Sequence, residues 1–204
     1  MINNIVVNQN YIEMAPFGSL LPNGVSPNSF IHIYGDNDVG KTSLALEIAF
    51  KNRDKIFVFI DTYNSLSSLS KVPDNVFIIS TNDIDEIIML LEDMPLDCFD
   101  GVILDSINNL TSKQEKKRLS EIETGIYRLL SYTSGHNKIL IAINGILMDG
   151  KPYCFSRRIS LLCGLNINIV SSKLNKDMTI NMLLKAKKNR YGGLRQLPVL
   201  IERK

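Results

Sequence analysis

The chain of 204 residues has little of what usually announces a function by composition. Its three cysteines, Cys98, Cys154 and Cys163, leave an odd count and match no metal-ligand spacing. That fits a reducing cytosol better than a disulfide scaffold, and leaves them as small buried hydrophobes. No sign of charge dominates: 23 Lys+Arg against 21 Asp+Glu give +2, too mild to announce a polyanion partner, so any basic surface must be local. No apolar run approaches the ~18 residues of a membrane span. The opening MINNIVVNQN has neither the basic nor the long apolar region of a secretion signal. The expectation is a soluble, cytoplasmic protein without a membrane partner. Repeats, low-complexity tracts and linkers are also missing. With 45% hydrophobic residues, the expectation is one α/β domain over residues 1–204, with 1–28 as a lead-in.

What is present begins at GDNDVGKT, Gly35 to Thr42, which has the form G-x-x-x-x-G-K-[ST]. An apolar run (SFIHIY, Ser29 to Tyr34) precedes it, and Leu44, Ile48 and the alanines between them suit a following helix packed on a sheet. Such a loop curls so that backbone N–H groups face phosphate oxygens at the positive end of the helix. Gly35, Asp36, Asn37, Asp38, Val39, Gly40, Lys41, Thr42 and Ser43 are therefore the candidate nucleotide-binding residues. Lys41 would reach the β- and γ-phosphates, and the Thr42 hydroxyl would ligate Mg²⁺. ATP and Mg²⁺ are the expected cofactors.

Further buried strands are expected at Ile56 to Ile60, Val76 to Ile79, Gly101 to Leu104 and Lys138 to Ile143. A helix is expected between Asp83 and Met94, behind an Asp83/Glu86 capping box. A long helix should carry Leu119, Ile122, Ile126, Leu129 and Leu130 on one face, with KQEKKR at its start as a solvated cluster. Asp105 ends an apolar strand, where a carboxylate is costly unless it binds a metal or is hydrogen-bonded; it is the second candidate metal ligand. The tail, Cys163 to Val170, Met178 to Lys187 and Leu197 to Glu202, reads as three antiparallel strands. The expected fold is thus a mainly parallel central sheet flanked by helices, with antiparallel strands at the C-terminal edge.

GVILDSINNLTS (Gly101 to Ser112) resembles the Walker B segment of the RecA-like family of P-loop ATPases, and LLPNGVSPNSFIHIYGDNDVGKTSLALEIA (Leu20 to Ala49) resembles the lead-in of its RecA, RadA, RadB and KaiC-type members. IFVFIDT (Ile56 to Thr62), IAINGIL (Ile141 to Leu147) and KAKKNRYGG (Lys185 to Gly193) continue the match to roughly Ile201. The resemblance implies a minimal RecA-like core that binds ATP between subunits of a filament or ring and acts on single-stranded DNA in recombination or repair, alongside recombination or replication proteins. It also implies that Lys188 and Arg190 reach a neighbour's γ-phosphate. Two departures stand out. The family's water-positioning Glu is replaced by Tyr63, which leaves Asp61 as the nearest candidate base and predicts slow hydrolysis. The family's sensing Gln is replaced by Gly145. The segment Leu147 to Ser160 holds Lys151, Tyr153, Phe155, Arg157 and Arg158, cations mixed with aromatic rings as single strands favour. An ordinary hairpin is the equal alternative for that segment. A non-hydrolysing regulatory or mediator paralogue, or a hexameric helicase or KaiC-type ring, is the alternative for the whole chain.

Overall fold

A computed structural model describes residues 24–66, 72–111, 118–153, 156–177, 179–191 and 196–202. The apolar runs form β1 (Phe30–Gly35), β2 (Phe57–Asp61), β3 (Val76–Ile79), β4 (Gly101–Asp105) and β5 (Ile139–Asn144), followed by β6 (Leu165–Leu174), β7 (Thr179–Asn189) and β8 (Gln196–Glu202). All eight join one sheet in the order β3-β2-β4-β5-β1-β6-β7-β8. Strands β1, β2, β4 and β5 are buried at every residue, because the sheet is covered on both faces where they lie.

Helix α1 (Lys41–Lys51) buries Leu44, Ala45, Ile48 and Ala49 against one face, together with Ile31, Ile33, Phe57, Phe59, Ile103, Ile141 and Ile143. Helices α2 (Ile84–Asp93) and α3 (Arg118–Gly135) cover the other face with Ile87, Ile88, Leu91, Ile122, Ile126 and Leu129. Asp83 caps α2 by accepting from the Asp85 and Glu86 N–H groups, but Glu86 turns back to the Thr81 hydroxyl, so only half of the expected box forms. Of the charged cluster expected before α3, residues 113–117 lie outside the described residues.

The tail departs from expectation in one respect. Strands β7 and β8 are antiparallel, but β6 pairs parallel with β1 and antiparallel with β7. The segment after β5, including the short helix α4 (Arg157–Leu162), carries the chain back across the sheet, so β6 starts at the same edge as β1 and must run with it. The sheet is therefore parallel from β3 to β6, and antiparallel only from β6 to β8.

On the α2/α3 face His32 is fully buried beside Tyr34, with its Nδ1 hydrogen-bonded to Asn166 Oδ1 at 3.1 Å. Burial pushes the imidazole from 6.5 down to about 3, against a smaller upward pull from the Asn166 bond. Below pH 6.5 the unfolded chain takes up a proton that the folded chain refuses, so stability falls with pH and the loss levels off near pH 3. At pH 4.5 the cost is about 2 to 3 kcal/mol. Urea unfolding at pH 7 and 4.5 should show a smaller drop for His32→Gln than for the wild type; parallel pH profiles would refute this.

Candidate functional site

Gly40 is the N-cap of α1 at φ 87°, in the left-handed region that favours glycine. No side chain caps the helix and its first turn carries no acid, so its leading N–H groups face outward. The tail strands hold the loop in shape. A Cβ at Gly40 would run into Met182 Cε on β7, and one at Gly35 would lie 2.9 Å from the Ile169 carbonyl on β6. Asp36, Asn37 and Asp38 are exposed, and Val39 packs against the α1-side core.

The Lys41 ammonium bends back onto the Gly35 carbonyl at 3.2 Å and the Asp36 carbonyl. Burial lowers its pKa, opposed by Asp105, Asp38 and Asp36. The Thr42 hydroxyl donates to Asp105 Oδ2. Since β5 lies between β1 and β4 in the sheet, that hydrogen bond passes over the C-terminal end of β5. Burial raises the Asp105 carboxyl to about 6, despite the Thr42 bond, with Asp61 adding to the rise and Lys41 opposing it.

Asp61 lies beside Asp105 in register. Its carboxylate accepts from the N–H groups of Tyr63 (3.2 Å) and Leu66 (2.7 Å) and from the Ser65 hydroxyl (3.3 Å), so both oxygens are engaged in shaping the turn after β2. Tyr63 is exposed. Thr62, which sequence reasoning passed over, accepts from the Ser106 N–H at 2.8 Å and donates toward the Asp105 and Ser106 carbonyls. The Asp105–Ser106 peptide bond is cis. Asn109 donates to the Thr62 carbonyl, and Asn108 accepts from the Gly145 N–H. The polar loop after β4 is thus tied to the ends of both neighbouring strands. The only sequence signal for this was a pair of adjacent amides behind Asp-Ser.

Lys188 and Arg190 lie elsewhere. Lys188 pairs with Asn166 at the start of β6, which is level with the start of β1, so the two cations occupy the sheet edge opposite the Gly35–Thr42 loop. Lys188 donates to the Ser160 and Leu161 carbonyls and Arg190 to the Leu161 carbonyl, at the C-terminal end of α4, where cations oppose the helix dipole's negative end.

The segment after β5 is a tight hairpin closed by an Ile146/Pro152 bridge and a Leu147 N–H to Lys151 carbonyl bond. Asn144 donates to the Tyr153 carbonyl, and Tyr153 packs against the α2/α3-side core. Lys151 is paired with Asp149 at 2.7 Å. Phe155 and Cys154 lie outside the described residues. Arg157 and Arg158 are exposed and form no ion pair among the described residues. Sitting in the first turn of α4, they face the positive end of its dipole and do nothing for its stability.

No family model matches the sequence, and no curated protein is significantly similar to it. The molecule is therefore characterised by its own geometry: an α/β protein with a mainly parallel sheet, antiparallel edge strands, and a cluster of donors and two carboxylates at the C-terminal edge of the parallel part. Among the described residues, no helix is long and apolar enough to cross a membrane. The site's donor set suits a polyphosphate with a divalent cation: bare helix N–H groups, an ammonium, and a hydroxyl paired with a carboxylate.

Proposed function

We propose that the chain is a minimal RecA-like P-loop core that binds ATP and Mg²⁺ between subunits and acts on single-stranded DNA in recombination or repair, with slow intrinsic hydrolysis. The observation that carries this reading is the convergence of the uncapped α1 N-terminus, Lys41 and the Thr42–Asp105 pair at one strand edge. The loop N–H groups and Lys41 bind and orient the phosphates; Thr42 and Asp105 hold the metal side. The bound Mg²⁺ supplies charge neutralisation on the phosphoryl oxygens. Slow turnover follows because Tyr63 has no carboxylate and Asp61 spends its own on the turn after β2. That same engagement favours, as second reading, a nucleotide-switched mediator that assembles on ATP without turning it over.

Of the described cations expected at the strand-facing loop, Arg157 and Arg158 are exposed and outside any ion pair, free to contact a nucleic-acid backbone. The test is single-stranded DNA binding in the presence of a non-hydrolysable ATP analogue, with ATP turnover measured alongside. Replacing both arginines with alanine should weaken binding of every sequence and flatten the slope of log affinity against log salt by about 0.7 per lost phosphate contact. An unchanged affinity and slope would remove DNA from the reading and leave the mediator.

A further inference from the structure

Asn108 lies in the 3-10 turn Ile107–Asn109 that follows β4, and its Oδ1 accepts from the Gly145 N–H at 2.5 Å. Because a backbone N–H can only donate, that bond fixes which way the amide points: the oxygen is committed to the Gly145 N–H, and the NH₂ group lies over the side of Gly145 where a side chain would stand. Nδ2 has no partner among the described residues. The amide occupies the space of a side chain at 145, where a Cβ would come within 2.9 Å of Nδ2.

Alternation along β5 puts Ile141 and Ile143 on the α1 face, and residue 145 continues that series. The Thr42–Asp105 hydrogen bond crosses the end of the same strand. The Asn108 amide therefore sits on the α1 side at the C-terminal end of β5, the strand end that the Thr42–Asp105 hydrogen bond crosses. Two free N–H donors cannot ligate a cation, and they suit an acceptor such as a phosphate oxygen whose charge a metal held by Asp105 would balance.

Resting on the nucleotide reading above, we propose that Asn108 is a specificity-determining residue of that site: its NH₂ group is the donor that distinguishes a third phosphate from two, and residue 145 is glycine to make room for it. The donor comes from the loop after β4 because no side chain at 145 can share that space.

The test is titration with ATP and with ADP, both in Mg²⁺, of the wild type and of Asn108→Ala, Asn108→Asp, Gly145→Ala and the alanine double variant. Asn108→Ala should weaken ATP by about tenfold, as losing a hydrogen bond to a charged group does, and ADP by less than about twofold. Asn108→Asp keeps an acceptor for the Gly145 N–H but puts an anion near the phosphate, so its loss for ATP should be larger still. Gly145→Ala should reproduce Asn108→Ala, and the double variant should be no worse than either. An ATP-to-ADP preference in Asn108→Asp equal to that of the wild type would overturn the assignment. If Lys41→Ala then still loses both nucleotides, the site stands and only the role of Asn108 falls. A wild-type chain that binds neither nucleotide would remove both.

Discussion

Lys41→Ala should abolish ATP binding while leaving the fold intact. The lysine ammonium is the only side-chain cation that the Gly35–Thr42 loop carries, and it is held at the α1 N-terminus by two carbonyls of its own loop. Charge-assisted hydrogen bonds are worth about 1.5 to 3 kcal/mol each, so losing contacts to two phosphates should weaken ATP by at least about a hundredfold. Folding should not suffer, because burial already disfavours the charged amine. Calorimetric titration of ATP into the variant, with circular dichroism to verify the fold, provides the check. Unaltered ATP affinity would show that the loop is a structural turn.

The second large effect is a rescue. Arg190→Ala protomers should be inactive alone, and an excess of Lys41→Ala protomers should restore turnover to them. The geometry motivating this is the placement of Lys188 and Arg190 at the edge of the sheet opposite the Gly35–Thr42 loop. The four residue steps of β1 from Ile31 to Gly35 already span about 13 Å, so these cations do not serve the site of their own chain. If they act on a phosphate at all, it belongs to a neighbouring copy, and each defective protomer then lends its intact half to a shared site. Oligomers that form, yet show no recovered turnover at any mixing ratio, would confine both residues to capping α4.

The strands were legible because a sheet covered on both faces demands unbroken apolar runs: β1, β2, β4 and β5 lie within one residue of the expected positions. Loop chemistry was legible where residue type and conformation are coupled, as at Gly40. The direction of β6 was hidden, because a strand's sequence records which faces are buried and not which way its neighbours run. The engagement of Asp61 was equally hidden: besides the Ser65 hydroxyl its partners are the backbone N–H groups of Tyr63 and Leu66, which any residue but proline would offer. Asn108 and Thr62 act through hydrogen bonds across strands, with no periodic signal to mark them. Tyr153 has the composition of a stacking residue, yet it is packed against the core, which only the folded hairpin decides.

Strand β1 precedes every other described strand in synthesis yet lies between two of them, and the loop after it packs close to Ile169 and Met182 from the tail. The nascent chain therefore carries the loop sequence long before anything exists to close it. Until β6 and β7 have emerged, β1 has no partner on its tail side and Gly40 has no wall behind it. A chain stopped short of β6 would expose one edge of β1, a largely apolar strand, to whatever lies nearby. Completion of the tail both shields β1 and brings Ile169 and Met182 against the Gly35–Gly40 loop, so that loop reaches its final surroundings only late in synthesis.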